Sequence, residues 1–119
     1  LFSIATFSQS VCPIKTVKVG SVSGIVVERS DREKGWSNID VDLRSSQDKQ
    51  LLATTKTSEG GEFNFGTVAN GTYFLEFRTG FFPTYRLVVK VRQAKYQKGG
   101  SIIVKLDPDC GKTEVLKGK

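Results

Sequence analysis

Apolar side chains recur at every second position in short segments along this chain. The clearest case is the segment 38–45, in which apolar and charged residues alternate: Ile39, Val41 and Leu43 against Asp40, Asp42 and Arg44. Successive side chains of a β-strand point to opposite faces, so a period of two predicts a half-buried strand. The pattern predicts seven strands in all, at residues 16–28, 38–45, 50–57, 63–65, 73–77, 84–92 and 101–107. The register within 50–57 is ambiguous, and we interpret Leu51 and Ala53 as its inward residues.

Glycine and charged residues interrupt the pattern in the first third of the chain. Gly20 lies inside the segment 16–28, and we expect the strand to bend there because glycine permits a bulge. Val22 and Val26 would then face the core, with Ile25 and Val27 on the opposite side. The charged segment 29–35 is predicted to be a surface loop that leads to Trp36.

The segment 57–81 carries the densest set of strand and turn signals. It predicts a short strand at 63–65, a tight reversal at 69–71, and a longer strand with three apolar side chains on one face: Tyr73, Leu75 and Phe77. Such a face needs a second layer to cover it. We therefore predict an all-β fold, a single-domain antiparallel Greek-key β-sandwich, with its interior formed by Val41, Phe63, Tyr73, Leu75, Val89 and Val104.

The length of 119 residues corresponds to one domain, and 38% hydrophobic with 25% charged residues is typical of a globular one. No apolar run is long enough for an ordinary transmembrane helix. We expect a lead-in at residues 1–15, the sandwich at 16–110 and a basic C-terminal tail at 111–119. The first ten residues are uncharged and are interpreted as a secretory-signal remnant or as an edge strand. Both interpretations lead us to expect a secreted, periplasmic or cell-surface protein.

Two cysteines, Cys12 and Cys110, stand near opposite ends of the chain. Neither belongs to a Cys-x-x-Cys pair, and the chain has no histidine to complete a zinc site. In an exported protein the simplest interpretation is one disulfide between them, and the alternative is two separate reduced thiols. We predict the disulfide. Asp107 and Asp109 alone provide too few oxygen ligands for a calcium site, so we expect no metal and no cofactor.

Basic residues exceed acidic ones by 18 to 12, but they are spread along the chain. This moderate excess favours an anionic partner, such as an acidic protein, an acidic polysaccharide or phospholipid headgroups, over nucleic acid. The predicted strands place four outward basic residues in a candidate binding stripe: Arg86, Lys90, Arg92 and Lys105. The alternative is an ordinary solvated sheet face on which Glu76 or Asp42 pairs with these cations.

Three aromatic residues are further binding candidates: Trp36, Tyr85 and Tyr96. Exposed rings could stack on sugars or anchor a protein partner, whereas the alternative is that each ring caps the edge of the core. Asp40 and Asp42 occupy alternate positions on an exposed strand face. We therefore interpret their carboxylates as structural and not as an acid–base pair.

Several motifs are together similar to one family. They are Gly24-Ile25-Val26, Ile39-Asp40-Val41-Asp42-Leu43, Gly61-Glu62-Phe63-Asn64-Phe65, Gly71-Thr72-Tyr73-Phe74-Leu75, Gly80-Phe81 and Ile103-Val104-Lys105-Leu106. Between residues 19 and 108 the chain resembles the carboxypeptidase regulatory-like domain, a relative of the transthyretin-like and Cna-B-like sandwiches. The resemblance implies a prealbumin-like (transthyretin-like) sandwich and is nearly silent on function. The chain departs from the family at Ser58 and Gly60, where acidic residues are usual, and at residues 69–70, where prolines are common.

The resemblance suggests two possible activities, and for each of them a required residue is missing. A Lys–Asn isopeptide bond would need an acid at the position of Phe77, whereas Glu76 falls on the opposite face and the last predicted strand has no Asn. Transthyretin-related hydrolases depend on histidines. The resemblance thus implies a non-enzymatic extracytoplasmic module for structural or protein-interaction purposes, with a carbohydrate-binding module that uses exposed aromatics as the alternative. The expected partner is a protein or a cell-surface polysaccharide, and a dimer through edge strands stays open.

Overall fold

Two facing β-sheets form the computed structural model of the chain, which describes residues 14–28, 31–80, 82–92, 101–106 and 112–116. These residues form ten strands: β1 (Lys15–Val19), β2 (Ser23–Glu28), β3 (Asp31–Gly35), β4 (Asp40–Ser45), β5 (Leu51–Lys56), β6 (Glu62–Asn64), β7 (Gly71–Arg78), β8 (Tyr85–Val91), β9 (Ser101–Leu106) and β10 (Lys112–Leu116). Sheet A has the strand order β1-β8-β7-β4-β5. Sheet B has the order β10-β9-β2-β3, and β6 also pairs with β2.

The predicted all-β sandwich is confirmed, with more strands than the sequence pattern indicates. Most neighbouring strands are antiparallel, but β1 pairs with β8 and β2 with β9 in parallel. Parallel neighbours cannot be joined by a short hairpin, so these two pairs connect segments that are far apart in the chain. Within the described residues, nothing forms a helix with the length and hydropathy needed to cross a bilayer.

The core lies between the sheets and is built from alternate residues of both. Five of the six predicted interior residues are buried: Val41, Phe63, Leu75, Val89 and Val104. The sixth, Tyr73, is half-buried and packs against the same cluster. Alternate residues beside them on β4, β8 and β9, and Ile39 directly before β4, are buried as well: Ile39, Leu43, Leu87, Val91, Ile102 and Leu106.

The predicted single strand at 16–28 is wrong, because the chain changes sheets at Gly20 and Ser21. The first part is β1 at the edge of sheet A, and the second is β2 inside sheet B. The predicted loop 29–35 is also wrong from Asp31 onward, since β3 pairs antiparallel with β2 and a register shift falls at Val27 and Glu28. Val27 is buried, although it was expected to face outward. Charged residues suit β3 because it is an edge strand.

The central segment 57–81 connects the two sheets. Its first strand, β6, pairs with β2 in sheet B, and its second, β7, lies in sheet A. The predicted reversal at 69–71 is therefore a corner between sheets and not a hairpin. The Tyr73 hydroxyl donates a hydrogen bond to the Ala69 carbonyl (2.6 Å), a contact of the kind that fixes the corner in Greek-key sandwiches.

Two further expectations need correction at the edges of the sheets. Leu51 was interpreted as inward, but its side chain is exposed because the pairing of β4 with β5 shifts register between Leu43 and Arg44. Ala53 packs against the core as predicted. The predicted tail 111–119 contains β10, which extends sheet B beyond residue 110 by pairing with β9.

Some predictions concern residues outside the described ranges. These are the lead-in at residues 1–13, the two cysteines, Tyr96, and the pair Asp107 and Asp109. They stay predictions.

Candidate functional site

Charged side chains gather on the outer face of sheet A, the side that points away from the core. Inward residues of β4 and β7 are apolar, so the alternate residues of these strands face out: Asp40, Asp42 and Arg44 on β4, and Phe74, Glu76 and Arg78 on β7. Neighbouring strands add Thr54 and Lys56 from β5, Arg86 and Lys90 from β8, and Lys18 from β1. This outer face contains most of the charged candidates from the sequence.

Asp42 is buried at the centre of this face, although the sequence predicts an exposed position. Its side chain is covered because Thr54 Oγ1 donates to Oδ1 (2.7 Å) and Arg78 Nε donates to Oδ2 (2.8 Å). Burial by itself raises the pKa of the Asp42 carboxyl. The hydrogen bonds from Arg78 and Thr54, with the positive charges of Arg78 and Arg44, outweigh burial and hold the pKa below its ordinary value. Asp42 is therefore a stable carboxylate.

Glu76 is the second buried carboxylate of the outer face. Arg44 Nε donates to Oε1 (3.1 Å) and Arg86 Nε donates to Oε2 (2.7 Å), so an arginine from each neighbouring strand holds one oxygen. Glu76 lies on the face opposite to the buried Phe77, as the strand alternation predicts. The position at which an isopeptide-forming acid is expected is thus occupied by a core phenylalanine.

Asp40 completes the set of acidic groups on this face. Lys56 Nζ lies 2.6 Å from its Oδ1, and Arg78 Nη1 lies 3.8 Å from its Oδ2. The interpretation of Asp40 and Asp42 as structural carboxylates agrees with these contacts. Among the described residues no buried side-chain nitrogen or oxygen is left without a hydrogen-bond partner, and no group of three His, Cys, Asp or Glu could hold a metal ion.

The structure divides the predicted basic stripe. Arg86 and Lys90 share the outer face of sheet A, and Arg92, the residue directly after β8, is exposed. Lys105 lies on β9 in sheet B, so it is not part of this row. Arg86 is held by Glu76, with its guanidinium 5.5 Å from the Phe74 ring centroid, as the solvated-face alternative anticipates.

Lys18 was missed by the sequence analysis and lies directly opposite Lys90 in the parallel pair of β1 and β8. The alternation of Val17 and Val19 with Lys18 indicates that the lysine faces outward. Nothing local indicates which strand lies beside it, because its partner is more than 70 residues away in the chain.

Of the three aromatic candidates, the structure describes Tyr85 and Trp36, and these two do not form an exposed platform. Tyr85 is only 6% exposed, and its hydroxyl lies 2.6 Å from Thr113 Oγ1. This position fits the alternative of a ring that caps the edge of the core. Burial raises the pKa of the Tyr85 phenol. Trp36 is half-buried, with its ring edge-on to Phe82 at a centroid distance of 5.5 Å. The carbohydrate-binding alternative retains only Trp36 among the described candidates.

Comparison with known proteins agrees with the β-sandwich fold. Residues 20–105 match the family model of the second β-sandwich domain of BOS complex subunit NOMO1-like proteins. The chain belongs to this family. In this NOMO1-like domain, 54 residues are 44% identical to serine-aspartate repeat-containing protein D of Staphylococcus aureus (strain Newman), covering 44% of the chain and 4% of that protein. A stretch of 58 residues is 38% identical to serine-aspartate repeat-containing protein F of Staphylococcus epidermidis, covering 47% of the chain and 4% of the relative.

A solved structure shows the same fold. The 5-hydroxyisourate hydrolase of Klebsiella pneumoniae superposes with a TM-score of 0.60 at 15% identity, over 82% of this chain and 99% of the hydrolase. At this identity the likeness concerns the fold alone. The transthyretin-like sandwich implied by the sequence resemblance is confirmed by this match and by the family of β-sandwich domains.

Proposed function

We propose that this domain is a non-catalytic structural and protein-interaction module of a larger extracytoplasmic subunit. The family to which it belongs is named as a domain of a complex subunit. The chain also spans only 4% of the length of the serine-aspartate repeat-containing relatives, so a role as one part of a longer protein fits the comparisons.

The proposal rests on the ion pairs that the acidic groups form on the outer face of sheet A. Each of the three carboxylates there is held by cations from neighbouring strands. A general acid or base needs a pKa near the working pH and a free approach to its substrate. Asp42 has neither, because its pKa is lowered and its oxygens are covered. These groups instead connect β4, β5, β7 and β8 into a stable surface.

The test compares three surfaces in the natural protein that carries this domain. One variant, Lys90→Glu with Arg92→Glu, changes the outer face of sheet A. A second, Ile103→Glu, changes the outer face of sheet B, and a third, Leu51→Asp with Leu52→Asp, changes the edge strand β5, where both leucines are exposed. Each variant is first shown to keep its thermal unfolding midpoint.

The readout is the mass of the native complex in solution. We expect the wild-type protein to migrate as part of an assembly and at least one folded variant to lose that assembly. If the wild type is a single free chain, or if no surface change alters the complex, the domain is not an interaction module.

A further inference from the structure

Three cations meet at one corner of the outer face of sheet A, and we call them the cationic corner: Lys18, Lys90 and Arg92. Lys18 on β1 faces Lys90 on β8 directly, and Arg92 follows two residues later. All three side chains are exposed. Neighbouring strands are about 4.8 Å apart and alternate residues about 6.6 Å apart along a strand, so the three positions fall within a small area.

The ion pairs among the described residues do not include Lys18, Lys90 or Arg92. The described part of the outer face has seven cations and three carboxylates: Lys18, Arg44, Lys56, Arg78, Arg86, Lys90 and Arg92 with Asp40, Asp42 and Glu76. The four cations outside the corner occupy all three carboxylates. Within the described residues, the positive charge of this face is therefore paired at one end and without an ion pair at the other.

Protection of a sheet edge does not account for the corner. Edge strands often carry lysine to prevent unwanted pairing, and β1 is the edge of sheet A, so this explains Lys18. Lys90 belongs to β8, which is paired on both sides, and needs no such protection. Like charges directly opposite each other destabilise a sheet. Because a lysine pair at such a position costs stability, we interpret its positive charge as functional.

We infer that the cationic corner binds an acidic segment of a partner protein through its carboxylates. Carboxylates on alternate residues of an extended chain are spaced like Lys90 on β8 and Arg92, the residue directly after β8. Thr72, which is exposed and directly opposite Lys90, adds a hydroxyl beside the cations. This inference rests on the proposed role as an interaction module and specifies its surface and partner chemistry.

A protein segment fits this corner better than a membrane surface does. A bilayer attracts each basic residue by about 1 kcal/mol, so three cations would attach the domain only weakly. The rest of the outer face holds three carboxylates, and a flat anionic surface would bring its headgroups close to them. A narrow acidic segment contacts the corner and avoids them.

The experiment uses the full 119-residue chain and a labelled peptide of alternating glutamate and serine. The corner variant carries Lys18→Gln, Lys90→Gln and Arg92→Gln. A control variant with the same loss of charge carries the substitutions at exposed or half-exposed lysines elsewhere: Lys34→Gln, Lys49→Gln and Lys105→Gln. Circular dichroism and the unfolding midpoint show that both variants are folded.

We expect the corner variant to bind the peptide about tenfold more weakly than wild type, with a smaller dependence on salt, because up to three exposed ion pairs are lost. The control should stay within about twofold, since net charge alone has a small effect. Equal losses in the two variants would overturn the inference. So would a wild type that ignores the peptide but binds a sulfated polysaccharide or phosphatidylserine vesicles through the corner.

This outcome is distinguishable from failure of the proposed function. The sheet B or β5 variants could dissociate the native complex while substitutions in the cationic corner leave its mass unchanged. In that case the domain is an interaction module that uses another surface, and the inference about the corner is wrong.

Discussion

Asp42 and Glu76 lie directly opposite each other on β4 and β7, and both carboxylates are buried. Two like charges in register destabilise a strand pair unless other groups neutralise them. Here Arg78 reaches diagonally to Asp42 from β7, while Arg44 and Arg86 hold Glu76 from the strands on either side. The centre of sheet A therefore depends on its arginines.

Removing Arg78 should destabilise the fold. Arg78→Met leaves the Asp42 carboxylate buried with only Thr54 to donate a hydrogen bond to it. A buried acceptor that loses its partner costs about 1–3 kcal/mol, and the half-exposed arginine places the expected loss at the lower end of that range. Urea unfolding followed by circular dichroism measures the free energy of unfolding.

The matched control is Arg92→Met on the same face. Arg92 is exposed and forms no side-chain ion pair within the described residues, so its replacement should change the free energy of unfolding by less than about 0.5 kcal/mol. If the two substitutions changed the free energy of unfolding equally, the Arg78–Asp42 contact would contribute no more to stability than an exposed arginine does.

Two adjacent glycines should differ sharply in their tolerance to alanine. Gly61 has φ +82°, and a Cβ there would lie 2.4 Å from the Val26 carbonyl oxygen. Left-handed backbone costs a side-chain-bearing residue about 1–2 kcal/mol, and the clash with backbone adds to this cost. A Cβ on Gly60 would meet nothing within 4 Å. We expect Gly61→Ala to lower the thermal midpoint by several degrees and Gly60→Ala to leave it nearly unchanged. The reverse order would contradict the close approach of Gly61 to Val26 on β2.

The hydroxyl pair of Tyr85 and Thr113 should connect the two sheets, since β8 lies in sheet A and β10 is an edge strand of sheet B. A double-mutant cycle with Tyr85→Phe and Thr113→Val should give a coupling free energy of about 0.5–1.5 kcal/mol, the range of a neutral hydrogen bond. If the losses in unfolding free energy of the two single variants simply add in the double variant, the hydrogen bond between Tyr85 and Thr113 is not formed in solution.

The same tyrosine should make stability depend on alkaline pH. Its folded pKa is raised by burial, so its contribution is complete below the ordinary tyrosine pKa of about 10 and is lost as pH rises through the folded value. Unfolding measured from about pH 8 to about pH 11 should therefore show a steeper loss for wild type than for Tyr85→Phe. Parallel profiles would show that Tyr85 ionises as freely as in the unfolded chain.

The predicted Cys12–Cys110 disulfide can be tested by mass. The residue three positions after each cysteine is described, and these two residues are close: Lys15 Nζ lies 3.5 Å from the Thr113 carbonyl oxygen. We expect reductant to raise the mass of the protein by two hydrogens and to lower its stability by about 2–4 kcal/mol. An unchanged mass would favour the alternative of two separate thiols.

The sequence predicts the core of this domain better than its surface. Burial of Val41, Leu75 and Val104 follows from local alternation, because one apolar face must be covered whatever the neighbouring strand is. The burial of Asp42 could not be predicted in this way, since it depends on Arg78 and Thr54 reaching over it from two other strands.

The pairing of strands is the second feature that the sequence does not predict. Lys18 and Lys90 meet because β1 and β8 pair in parallel, and no turn motif connects them. The charged strand β3 was interpreted as a loop because its side chains lack the alternation of a half-buried strand. Its pairing with β2 comes from the sheet and not from a local signal.

The most direct test of the central claim, that the carboxylates of sheet A are structural, is a carbon-detected NMR titration of Asp42. A lowered pKa means that Asp42 adds stability above the ordinary aspartate pKa of about 3.9 and loses that contribution as pH falls through the folded value. We predict a midpoint below the ordinary value in wild type, and a higher midpoint in Arg78→Met, where burial acts with less opposition. A wild-type midpoint near neutral pH, as expected for a general acid or base, would contradict the account.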